Sequence, residues 1–375
     1  MSLPTEPTAD DDPLGDLLDR HSVVICTGAG GVGKTTTAAV LAMEAAQRGR
    51  RACVVTIDPA RRLADAMGLA GLTDTPMPVE GPWPGELWAM MLDTKSTFDN
   101  LVAAHAADEE QAEEILGNRF YRNISSSLSG TQEYMAMEKL YELHAEERFD
   151  LVVVDTPPTR NALDFLEAPR RLTRFLDHRL YRILVAPTRG IVRAMNLAAQ
   201  TFLRTVSRVV GAEVVQDAIG FFAAFDGMEA GFRERAASVV DLLGADTTAF
   251  VLVTAPRGDV VEEATYFADK LAEAGIAVRA LIVNRVHPRF STESLSVLRR
   301  RADALSDTPL ASFATNLAEF SSVAATEEAH LAGLTGRLGS APVVRVPFLD
   351  SDVHDLPGLD RIAAHLFPDA ARRSN

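Results

Sequence analysis

Cysteine is almost missing from this chain of 375 residues: Cys26 and Cys53 are the only two, each inside a β-branched apolar run. No CxxC pair exists, which argues against a thiolate metal site within one chain. It fits instead two buried small hydrophobes in a reducing compartment. Also lacking is any apolar run close to the ~20 residues that a bilayer-spanning helix needs. The first residues, MSLPTEPTADDDPLGDLLDR, hold no apolar segment of the kind that directs secretion, so the expected location is the cytoplasm, with at most transient membrane contact. Residues 1–20 read as a polar, acidic, disordered tail. Basic charge is in deficit: 37 Lys and Arg face 52 Asp and Glu, for a formal net charge of −15. Such a surface repels phosphate backbones and anionic lipid, which argues against nucleic acid as a partner and against stable membrane insertion. Internal repeats and low-complexity tracts are missing as well.

What is present suffices for a sizeable core, as one large α/β domain or two smaller ones. Short β-branched runs recur at 23–27, 52–57, 87–92, 151–155, 250–254, 278–283 and 343–347. Segments of helical periodicity separate most of them. That alternation predicts a largely parallel sheet covered on both faces. Residues 96–145 and 160–245 break the alternation, carrying helical patterns with no convincing strand, and read as helical insertions at one edge.

The most specific signal is VVICTGAGGVGKTTT at 23–37. Within it Gly28, Ala29, Gly30, Gly31, Val32, Gly33, Lys34 and Thr35 match GxxxxGK[ST], between a strand and a helix-like segment, as the motif requires. Glycines let backbone N–H groups converge on phosphate oxygens, and the following helix adds its dipole. Lys34 is expected to reach the β and γ phosphates, the Thr35 hydroxyl to ligate Mg²⁺, and Thr36 to complete the cradle.

Two carboxylates follow strands. Asp155 ends FDLVVVD and would face the phosphate loop from the C-terminal edge of a parallel sheet, where it can hold the Mg²⁺ shell. Asp58, in TIDPARR, would orient or deprotonate the attacking water and stand near the metal. Its residue pattern is equally that of a helix cap with Pro59 at the first helical position, and the two readings stand level.

Taken together these stretches resemble the SIMIBI-class P-loop ATPases, specifically the branch of the arsenite-pump ATPase and the guided-entry ATPase that delivers tail-anchored proteins. The branch's GKGGVGKTT appears here as GAGGVGKTT, its DPAHSL as Asp58 to Leu63, and its DTAPTGHTLR as Asp155 to Asp164. Its VNQ or VNK strand end corresponds to Val283, Asn284 and Arg285, and its VPLL-like turn to Val346, Pro347, Phe348 and Leu349. The resemblance covers nearly the whole chain. It implies a P-loop NTPase fold with a mostly parallel sheet of seven to eight strands, flanked by helices and carrying an inserted helical subdomain. The implied division is a nucleotide-binding core at 21–95, 146–165 and 246–375, a helical insertion at 96–145, and a helical client or partner subdomain at 166–245. ATP and Mg²⁺ are the implied cofactors. Asp58 and Lys34 are the implied catalytic residues, with Thr35, Asp58 and Asp155 around the metal. Asn284, Arg285, Pro347 and Phe348 are implied near the adenine, which a carboxamide suits because it donates and accepts. Guanine is disfavoured, since Asn284 is not followed by an NKxD-type carboxylate.

The departure from the branch is Ala29. There the family carries a lysine that reaches across a dimer to the partner's nucleotide, and alanine supplies no cation. Either a related, lysine-bearing subunit pairs with this chain, the favoured reading over a homodimer, or Arg61, Arg62 or Arg160 substitutes. A catalytically weak, regulatory ATP-binding subunit is the first rival. A partition- or septum-type surface ATPase is the second, with a C-terminus too short and proline-broken to support it. The cysteines also argue against arsenite transport. Finally, 193–210 carries an amphipathic stripe of Met195, Ala199, Phe202, Val206 and Val209, and 218–228 is dense in Phe and Met. An amphipathic stripe usually means core, so these stripes can pack on one another and on the sheet; flexible apolar surfaces of this kind also suit promiscuous clients, and an apolar client or partner surface is expected here.

Overall fold

The computed structural model describes residues 12–57, 62–122, 131–157, 162–177, 211–225 and 227–367. They form two compact units: one of residues 1–91, 147–160 and 246–375, the other of residues 92–146 and 161–245.

The first unit is built on an eight-stranded sheet, β1 (Val23–Thr27), β2 (Arg51–Thr56), β3 (Met77–Val79), β4 (Glu86–Met91), β5 (Leu151–Asp155), β6 (Thr248–Thr254), β7 (Val278–Val286) and β8 (Val343–Pro347). The spatial order is β3-β4-β2-β5-β1-β6-β7-β8. All pairs are parallel except β3 on β4. Every residue of β1, β5 and β6 is buried, as expected for central strands covered on both faces. β3 escapes the sequence pattern because it is three residues long and contains Pro78, which only an edge strand tolerates. Helices α1 (Pro13–Arg20), α2 (Lys34–Gln47) and α3 (Arg62–Ala66) belong to this unit. The register places the C-terminal ends of β1, β2 and β5 side by side, with Cys26 and Thr56 each opposite Asp155. The site is assembled at that edge.

The disordered tail expected through residue 20 needs correction: residues 13–20 are helical. Asp12 caps α1 by accepting from the Gly15 N–H, Pro13 opens it, and Leu14, Leu17 and Leu18 are buried. Arg48 of the region after α2 pairs with Asp12 and Asp19, which ties this turn to the core. Acidic composition concealed a three-leucine face at helical spacing.

The described part of the second unit is helical: α4 (Thr94–His105), α5 (Glu109–Gly117), α6 (Thr131–Ala145), α7 (Ala162–Asp177), α8 (Ala212–Ala224) and α9 (Glu229–Gly244). α6, α7 and α9 pack on one another. The Phe- and Met-rich stretch expected to offer an apolar client surface does not do so. Phe221, Phe222, Phe225 and Met228 are all buried. Phe221 stacks on Tyr121 and Phe225, with centroids 6.1 and 5.7 Å apart, and Phe225 meets Phe232 at a tilt, with centroids 4.9 Å apart. Aromatic rings that find each other leave less apolar area open to water, so this stretch is core. The stripe at 193–210 lies outside the described residues. Phe221→Ala is expected to cost about 3–5 kcal/mol of stability, the usual price of a large core cavity, read by chemical denaturation.

Among the described residues no helix is long and apolar enough to cross a membrane.

Candidate nucleotide site

The loop between β1 and α2 carries three left-handed glycines, Gly28, Gly31 and Gly33. Two of them are required by what surrounds them. A Cβ on Gly28 would overlap the carbonyl oxygen of Val253, and one on Gly33 would overlap the Asn284 amide. Gly33 is also the N-cap of α2, with φ at 95°, and no side chain caps the helix. Aspartates cap α1, α4 and α5. The first turn of α2 instead holds no acidic residue, so its orphan N–H groups face the loop without a competing carboxylate.

Lys34 is 7% exposed and bends back so that Nζ donates to the Ala29 carbonyl at 2.9 Å. Thr35 Oγ1 donates to Asp155 Oδ2 at 2.7 Å. Thr56 Oγ1, at the end of β2, donates to the same oxygen at 2.9 Å. Just beyond β5, Thr156 binds the Cys26 carbonyl through both its N–H, at 3.2 Å, and its hydroxyl, at 2.8 Å. Burial, reinforced by the Asp155 charge and opposed by Lys34, pushes the Cys26 thiol far up, so it stays protonated and unreactive. With both cysteines buried, neither is expected to react with a maleimide until the chain is denatured.

On the far side of the loop, β7 slips register between Val283 and Val286, and Arg285 takes φ 60°. A bulge of this kind re-aims side chains beside a site. Asn284 Nδ2 donates to the Val32 carbonyl at 2.9 Å, and its Oδ1 accepts from Arg285 N at 2.9 Å. Each end of the carboxamide retains a second donor or acceptor position. His287 is gripped by Glu327, through its ring at 2.6 Å and its N–H at 2.9 Å. The ring lies nearly parallel to Phe348, with centroids 5.9 Å apart. Phe348 is 61% exposed. The end of β7 and the end of β8, with Pro347 closing that strand and Phe348 just beyond it, thus meet.

The structure therefore brings Lys34, Thr35 and Asp155 together and sets Asn284 against the loop. Asp58, Arg61 and residues 158–161, including Arg160, lie outside the described residues. Arg62 is exposed at the start of α3. Ala29 is 2% exposed and belongs to the same buried cluster as Val32 and Val253. Thr56, His287 and Glu327 were not singled out in the sequence. Thr56 precedes Asp58 by two positions, but a threonine ending a strand is too common to signal a role.

A family model for the anion-transporting ATPases matches residues 21–308. The chain belongs to that family. The match takes in the phosphate loop, Asp155 and the Asn284 bulge. Among its relatives is the ATPase GET3 of Malassezia globosa, 31% identical over 181 residues, or 46% of this chain and 52% of the relative. The ATPase GET3B of Arabidopsis thaliana is 26% identical over 323 residues, covering 81% of this chain and 74% of the relative. The ATPase ARSA1 of Chlamydomonas reinhardtii is 28% identical over 371 residues, 93% of this chain and 43% of the relative. The chain spans about half the length of the fungal GET3 relatives it matches.

The site residues fit a magnesium–nucleotide pair. A hydroxyl and a carboxylate already meet at the strand edge, and an uncapped helix start and a buried ammonium complete the cup. Magnesium characteristically takes one or two protein oxygens and leaves the rest of its shell to water and phosphate.

Proposed function

We propose that this chain binds ATP with Mg²⁺ at residues 28–36 and hydrolyses it slowly, acting as a nucleotide-driven switch in an assembly with a related, lysine-bearing ATPase subunit. The observation that carries the reading is the convergence of Lys34, Thr35 and Asp155 on one strand edge beside an uncapped helix. Lys34 would leave the Ala29 carbonyl for the phosphates, and the loop amides would hold their oxygens. Thr35 and Asp155 would hold Mg²⁺, which when bound offsets charge on the phosphates. Asp58 would orient the attacking water. Asn284 and Arg285, with Pro347 and Phe348, would enclose the adenine. Thr156, fastened to the Cys26 carbonyl, gives the segment after β5 a fixed end from which the following residues can respond to the γ-phosphate.

Ala29 favours the shared assembly. Its side chain is apolar and faces the core, so position 29 sends no cation toward a second nucleotide. The same observation favours a second reading, a weakly active regulatory subunit. Phosphate release by the purified chain, alone and with lysine-bearing relatives from the same cell, separates them. Low release alone that rises on mixing supports the switch. Release that stays low on mixing supports the regulatory subunit. Brisk release alone, unchanged in Arg61→Ala and Arg160→Ala, contradicts both.

A further inference from the structure

Asp155 accepts two hydroxyl donors on a single oxygen, and the phosphate loop accounts for only one of them. Thr35 comes from the start of α2, whereas Thr56 comes from the end of β2. Thr56 is 1% exposed and stands opposite Asp155 in the parallel register. The residue after it, Ile57, donates its N–H to the Asp155 carbonyl at 3.3 Å. The end of β2 therefore holds Asp155 through both main chain and side chain.

We propose that Thr56 is the positioning residue of the magnesium-side carboxylate, a role that rests on reading residues 28–36 as a Mg²⁺–ATP site. The terminal torsion of an aspartate is broad, so a carboxylate held by one donor can swivel. Two donors from different elements on one oxygen fix its plane. A threonine hydroxyl has one hydrogen and two lone pairs. Thr35 can therefore keep donating to Asp155 while a lone pair faces a cation, whereas Thr56, 1% exposed at the end of β2, holds the carboxylate from the strand. Hydrogen bonds to an ionised acceptor are about twice as strong as neutral ones, so the second donor is consequential. Thr56 also stands two positions before Asp58, so the same bond fastens the root of the segment proposed to orient water to the carboxylate proposed to hold the metal.

The test compares Thr56→Val, which removes the hydroxyl at nearly constant volume, with Thr56→Ser, which keeps it. Each full-length protein is titrated calorimetrically with Mg²⁺ in the presence of a non-hydrolysable ATP analogue, and with the analogue alone in EDTA. Thermal unfolding is recorded in parallel. Thr56→Val is expected to weaken Mg²⁺ binding roughly tenfold, while Thr56→Ser stays within about threefold of wild type. Nucleotide affinity in EDTA should be unchanged in both. A Thr56→Val protein that melts earlier but binds Mg²⁺ as wild type does would make Thr56 merely structural and overturn the proposal. If Thr56→Val does not fold, Thr56→Cys carries the same expectation, because a thiol is a weak donor. A wild-type chain that takes up no analogue overturns the reading of the loop itself, a failure visible before any variant is compared.

Discussion

Lys34→Ala is expected to weaken binding of Mg²⁺–ATP by roughly a hundredfold or more and to remove measurable hydrolysis. The ammonium is nearly buried and makes its hydrogen bond to the loop's own Ala29 carbonyl, five residues back. Turned to a triphosphate, it would make charge-assisted bonds to two phosphates in a water-poor cup. Each such bond contributes about 1.5–3 kcal/mol, and about 1.4 kcal/mol is a factor of ten in affinity. The variant should still fold, because the hydrogen bond it loses to the Ala29 carbonyl lies within the loop and not in the sheet. Calorimetric titration with ATP and a thermal melt check both halves. Unchanged affinity in a folded variant would remove Lys34 from the site.

Gly28→Ala is expected to be more damaging to the fold, at about 3 kcal/mol or more, and to lower nucleotide affinity with it. The added methyl would meet the Val253 carbonyl oxygen, which is main chain within β6 and cannot step aside. Gly31→Ala is the control. Its φ of 75° is left-handed too, but a Cβ there meets nothing within 4 Å. Only the backbone penalty of about 1 kcal/mol should appear. Urea denaturation of the two variants measures the difference. Equal destabilisation would mean that the close approach of the loop to β6 does not constrain it.

The sheet was legible because its physics is local. Central strands such as β5, with LVVV at 151–154, are apolar on both faces, and such runs bounded by polar residues identify themselves. The phosphate loop was legible for a related reason: Gly28 and Gly33 answer to positions where neighbours leave no room for a Cβ, and that demand is written at fixed spacing. What could not be read depends on contacts across the chain. The bond from Thr56 to Asp155 joins residues 99 apart, and the grip of Glu327 on His287 joins residues 40 apart. Neither has a spacing that sequence can reveal. Amphipathic patterns also do not say what covers them. The acidic composition around Leu14, Leu17 and Leu18 reads as a solvated tail, and the pattern around Phe221, Phe222 and Phe225 suits a core or an open surface equally. Both sets are buried in their own units.

Ala29 belongs to the same lesson from the other side. The missing cation was plain in the sequence, but that the side chain sits in the core beside Val32 and Val253 was not. An added lysine at this position would have to leave that cluster before it could meet any phosphate, because burying an unpaired ammonium there costs far more than a single contact returns.

The central claim is that the first β–α turn cups a magnesium-bound triphosphate, and isothermal calorimetry of the purified, folded chain with ATP tests it most directly. The account predicts saturable binding of one ATP per chain that tightens when Mg²⁺ is added and disappears in Lys34→Ala. A folded chain that gives no binding heat with ATP and Mg²⁺ at any temperature tried, and no thermal stabilisation by the pair, would contradict it.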